Sequence, residues 1–174
     1  MTRRFLTLCL MATALPVLTA ATLEQLSLEQ MIQKSTAIVR GRILGSTTIR
    51  RGMVLYTTSR VQVLERWKGA AAGQVEVSVP GGAMSGLRQT FSGAPRLADG
   101  GEYVLFLWTG KSGVTHVIGL SQGLFHVQGE MLYRSASGET MLDGGGRAVA
   151  DQDLRMSMAQ MRAAIAKGME AERK

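Results

Sequence analysis

Gly119-Leu120-Ser121-Gln122-Gly123 has the form G-x-S-x-G, the turn that lifts a nucleophilic serine to the top of a hydrolase sheet. Such an elbow needs a strand before it, a helix after it, and an acid and then a histidine downstream. Here the following residues 124–128 (LFHVQ) read as a strand. The one later histidine, His126, precedes every downstream aspartate. A small hydrolase built on Ser121 therefore stands as an alternative, and a glycine-bounded turn is the simpler expectation.

His116 and His126 are the only imidazoles of the chain, and they lie equally far from Ser121. If residues 114–118 and 124–128 form a hairpin centred there, the two rings face each other and could supply two metal ligands. Zinc takes three or four, and with no further histidine available a carboxylate would have to complete such a site. Two histidines on a sheet face, with no metal and no cofactor, are expected.

Arg40, Arg42, Arg50, Arg51, Arg60, Arg66 and Lys68 are concentrated in the stretch 40–68, near Tyr56 and Trp67. A surface of this kind can bind a polyanion or single-stranded nucleic acid. Aromatic residues make up only 5% of the chain, which argues against a nucleic-acid partner. No Walker loop, dinucleotide fingerprint or calcium loop is present.

The elements that must hold these residues can be read from local pattern. Ser27-Leu28-Glu29-Gln30 is a capping box, in which the Ser27 hydroxyl accepts from the Gln30 amide while the Gln30 side chain reaches back. Leu26 and Met31 occupy the flanking staple positions, so a short helix is expected over 28–35. Residues 37–49 and 53–67 read as a long hairpin turning at Arg50-Arg51-Gly52 and closed by Lys68-Gly69. QVEVSV (74–79) alternates with Val75, Val77 and Val79 inward, whereas EYVLFLW (102–108) is apolar throughout, as in a strand buried on both faces. Residues 114–118, 124–128 and 131–135 follow as short strands. Asp143 to Gly146 (DGGG) reads as a flexible break. Ser157-Met158-Ala159-Gln160 repeats the capping box before a terminal helix over 158–170, whose Met158, Met161, Ile165 and Met169 form a docking stripe. Six or seven strands with two peripheral helices point to a small antiparallel barrel or sandwich.

Residues 80–101 (PGGAMSGLRQTFSGAPRLADGG) do not fit so plain a scheme. Loops this long within a domain are commonly functional or mobile, although Leu87 to Phe91 could form a brief strand. Met84, Leu87, Arg88, Phe91 and Arg96 are its candidate binding residues.

The chain has 174 residues, 45% hydrophobic and 19% charged, which fits one globular domain and excludes a disordered tail or a collagen-like repeat. Arg3 and Arg4, the apolar run 5–11 (FLTLCLM) and the small residues Thr19, Ala20 and Ala21 form a secretory signal peptide. Cleavage is expected after Ala20 or Ala21, leaving one domain over 22–174 in the periplasm or outside the cell. The only cysteine, Cys9, leaves with the signal, as do Arg3 and Arg4. The mature chain then carries 18 basic and 13 acidic groups, net +5, with no disulfide and no further stretch long enough to span a membrane.

STAIVRGRI (35–43), VQVLERWKG (61–69) and GGEYVLFL (100–107) together resemble strands of netrin-like domains, the group that includes the tissue inhibitors of metalloproteinases. With PGG (80–82), GAPR (93–96) and GLSQG (119–123), the chain is also similar to uncharacterised secreted bacterial proteins of like length. The resemblance spans about residues 27–130. It implies an OB-like β-barrel, here with a short N-terminal helix and a C-terminal amphipathic helix. The animal inhibitors set an N-terminal cysteine on the protease zinc, and that chemistry has no counterpart in a mature chain without cysteine. The expectation is an exported, non-enzymatic binding module of protease-inhibitor-like type that uses residues 80–101 to hold another exported protein. Its alternative is a polyanion-binding module using Arg40, Arg42, Arg50, Arg51 and Lys68. Deleting residues 83–97 is expected to abolish capture and leave the fold intact.

Overall fold

Ser27 and Ser157 each open a helix through a reciprocal cap. In both, the serine hydroxyl accepts from the amide three residues on, at 3.1 Å, and the glutamine there accepts from the serine amide at 2.8 Å. The computed structural model describes residues 22–70 and 72–172, so the expected signal peptide and Cys9 lie outside the described residues.

In chain order the elements are β1 (Thr22–Glu24), α1 (Leu28–Lys34), β2 (Ala37–Arg51), β3 (Val54–Lys68), β4 (Gln74–Pro80), β5 (Gly82–Met84), β6 (Leu87–Gln89) and β7 (Glu102–Thr109). After them come β8 (Thr115–Val117), a 3-10 turn (Leu120–Gly123), β9 (Leu124–Gln128), β10 (Met131–Arg134), β11 (Thr140–Leu142), β12 (Ala148–Ala150), β13 (Leu154–Ser157) and α2 (Met158–Ala171). The protein is mainly β, with antiparallel main-sheet pairings and two helices.

The principal sheet runs β13-β10-β9-β7-β2-β3-β4, with β8 on the same edge of β7 as β9. Its ladders do not close into a ring. Strand β8 nevertheless meets β4, where Nδ1 of His116 lies 2.7 Å from the Ser78 carbonyl. A carbonyl only accepts, so the imidazole must donate from Nδ1. The expected hairpin centred on Ser121 is overturned: β8 and β9 both pair with β7, and the 3-10 turn carries the chain from one half of that strand to the other.

Alternation along β7 builds two cores. Tyr103, Leu105 and Leu107 point to one side, where they join Val39, Ile43, Val61 and Val77. Val104 and Phe106 point to the other and meet Ile38, Phe125 and Leu132 beneath the helices. Onto that second face α1 brings Met31 and Ile32, and α2 brings Met158, Met161 and Ile165. Each of these side chains is at most 2% exposed, and burying one contributes about 1.5–3 kcal/mol. The methionine stripe is thus a docking face within the protein. Gly168 lies against Ile32, where an added Cβ would come within 2.8 Å of Cγ2.

Lys68-Gly69 ends β3 for two physical reasons. Gly69 has φ +72° and a Cβ there would collide with the Thr36 carbonyl. The Lys68 ammonium donates to the carbonyls of Ile32 (2.6 Å) and Gln33 (3.2 Å), at the negative end of α1, and to Glu172 (2.7 Å).

Asp143 to Gly146 is an ordered hairpin turn rather than a break. The Asp143 carboxylate accepts from the amides of Gly145 and Arg147 and from the Arg147 side chain, each at 2.9 Å. These charge-assisted bonds hold its pKa below the usual value.

Candidate functional site

Residues 80–101 do not form a free loop. Strands β5 and β6 make a small hairpin, and β6 leans on the tip of the long β2–β3 hairpin through Gln89, whose amide group substitutes for a strand neighbour. Its Oε1 accepts from the Leu55 amide at 2.7 Å and its Nε2 donates to the Met53 carbonyl at 2.9 Å. Further along, Gly93 accepts from the Ser121 amide, and Gly100 and Gly101 bond to Ile43. The Tyr103 hydroxyl accepts from the Ala98 amide, and Leu97 packs against the core. A deletion of residues 83–97 would strip the ties of Gln89, Gly93 and Leu97, so the expectation that it leaves the fold intact is withdrawn.

Between this segment and the ends of β3 and β4 lies a groove of about 290 Å³. Arg88, Phe91 and Arg96 line it together with Thr57 and Thr90, and Phe91 remains 41% exposed. Met84 and Leu87 do not line it; they pair across the β5–β6 tip, where Leu87 is exposed. Val79, Pro80 and Pro95 also border a second hollow of about 190 Å³, bounded by Tyr56 and His116. A larger hollow, about 390 Å³, lies between Trp67 and α2. Its Arg162 is already engaged by Glu65 at 2.7 Å and lies over the Trp67 ring, so it offers no unpaired guanidinium to a ligand.

The expected basic face is divided. Arg40 is half-buried and bonds Glu65 and Glu102, each at 2.6 Å, which raises its pKa, chiefly through Glu65. Arg42 pairs with Glu102, and Lys68 is locked between the two helices. Carboxylates from β3, β7 and the end of α2 thus engage all three, Arg40 and Lys68 closely and Arg42 with its side chain still 53% exposed. Arg50 and Arg51 stay at the hairpin tip, where Arg50 donates to the Gly52 carbonyl and Arg51 lies 6.0 Å from the Tyr56 ring centre.

Glu65 is the hub of the opposite end. The Trp67 indole, Arg162 and Arg40 all donate to it, and they hold its pKa down to about 2 against the burial that opposes its charge.

The two histidines are not brought together. His116 sits opposite Trp108 in the ladder, and His126, exposed, sits opposite Tyr103 with its ring edge-on at 5.1 Å. Among the described residues no group of three or more His, Cys, Asp or Glu could hold a metal ion. Ser121 lies in a 3-10 turn that leads into β9, not in a strand-to-helix elbow. The residue of consequence there is Gln122, which is 1% exposed. It accepts from the Leu26 amide at 2.8 Å and donates to the Glu24 carbonyl at 2.9 Å, clamping the segment before α1. A polar residue between two glycines was the available signal.

No family model matches the chain, and neither a curated protein nor a solved structure matches it.

Proposed function

We propose that this chain is an exported, non-enzymatic binding module of OB-like, netrin-type build that holds a partner protein in the groove beneath residues 80–101. The observation that carries the reading is that groove. It gathers Arg88, Phe91 and Arg96 on a segment tied to β2, β3 and β7, so a partner would meet a preformed surface. The OB-like part rests on five strands, β2, β3, β4, β7 and β8, which surround one core while His116 bridges β8 to β4.

Capture from the exported fraction by immobilised mature protein tests the function. The Phe91→Ala/Arg96→Ala variant should lose the partner, and unchanged capture rejects the groove. N-terminal sequencing of the exported chain should begin at Ala21 or Thr22; a chain still carrying residues 1–20 rejects signal cleavage.

A further inference from the structure

Charge in this protein is sorted from one end of the β2–β3 hairpin to the other. Residues 30–64 contain no aspartate or glutamate, and neither do residues 77–98. The carboxylates that engage Arg40, Arg42 and Lys68 lie at the helix end. Arg50 and Arg51 stand about ten residues further along β2, roughly 30 Å at the rise of a strand. Strand β6 brings Arg88 to the same tip, with Arg96 nearby across the groove. Among the described residues Arg50, Arg51, Arg60, Arg88 and Arg96 form no ion pair. The tip also exposes Met53 (84%) and Leu87 (46%).

We infer that the groove receives an extended, acidic segment of a partner polypeptide. This rests on the groove being the binding site and adds the chemistry of what enters it. Two guanidiniums on separate segments face a hollow whose lining holds no carboxylate, so an occupant bearing negative charge is favoured and one bearing positive charge is repelled. The unpaired arginines at this end are carried by β2, β6 and the stretch after it, which suits several carboxylates spaced along a chain better than one small anion. The two hollows share Val79, Pro80 and Pro95, so a strand-like segment can lie across both. Phe91, which lines the groove and is 41% exposed, supplies the apolar contact.

The test is fluorescence anisotropy with a labelled oligoglutamate, alongside oligoglutamine, oligothymidylate and phosphatidylglycerol vesicles. Oligoglutamate should bind, weaken as salt rises, and bind more tightly than the nucleotide or the vesicles. Arg88→Gln/Arg96→Gln should weaken it about tenfold or more, whereas Arg147→Gln, remote in the β11–β12 turn, should not change it. Circular dichroism of each variant checks that the fold persists, and the salt series on the unmodified protein is independent of folding. Absent or salt-insensitive oligoglutamate binding overturns the inference, as does tighter binding of oligothymidylate or vesicles. Should oligoglutamate fail while Phe91→Ala/Arg96→Ala still loses the exported partner, the acidic ligand is wrong and the groove stands. If both fail, the groove itself is wrong.

Discussion

His116 donates from Nδ1 to the Ser78 carbonyl at 2.7 Å, across a gap between β8 and β4 that no ladder spans. His116→Ala should cost about 1–3 kcal/mol in urea unfolding, since a nearly buried carbonyl loses its side-chain partner. Hydrogen exchange should quicken in β4 and β8 and stay unchanged in β10 and β13. Uniform acceleration would show that the bond does not hold this seam.

The hub at Glu65 makes stability sensitive to acid. Its folded pKa, about 2, lies below its ordinary 4.5, so the stability it contributes is complete above pH 4.5 and is lost as pH falls towards 2. Glu65→Gln should destabilise the protein at neutral pH, and the penalty should shrink at about pH 3, where the unfolded chain's Glu65 has taken up its proton while the folded one still holds its charge. A penalty independent of pH would assign Glu65 a packing role only.

Arg134 and Asp151 form an ion pair with side chains 6% and 4% exposed, at 2.8 Å, and the Arg134 Nε has no partner among the described residues. Burial opposes the Asp151 charge, but the Ser137 amide and Arg134 hold its pKa below the usual carboxylate value. Arg134→Ala strands that carboxylate and should cost about 3–5 kcal/mol. The double variant Arg134→Met/Asp151→Leu should be less damaging than the sum of its singles, and simple additivity would exclude the coupling.

Gly168→Ala should destabilise, although alanine in a helix interior ordinarily gains about 1 kcal/mol over glycine. The new methyl would press on Ile32 Cγ2, a branched atom unable to swing aside. Adding Ile32→Ala should relieve the clash in a double-mutant cycle of melting temperatures. A stabilised single variant would mean the helices can separate.

Local pattern made part of this structure legible. The capping boxes at Ser27 and Ser157 need only four residues each, and the apolar run of β7 needs only its neighbours. What escaped depends on distant parts of the chain. The symmetric spacing of His116 and His126 about Ser121 suggested a hairpin, but β7 offers two registers on one edge and takes both strands. The parallel pairing of β1 with β11 joins residues more than a hundred positions apart, with no turn to announce it. Arg40 and Lys68 looked like surface charge because Glu102 and Glu172 approach them only in the folded chain. For the groove, the candidates Arg88, Phe91 and Arg96 were visible as residue types, while the Gln89 tether that sets their segment in place was not.

Strand β7 is a party wall: one side faces the room beneath the helices and the other the room beside the hairpin. Water admitted to either would dissolve the partition and flood both, so heat should melt the molecule in one cooperative step, with equal calorimetric and van't Hoff enthalpies.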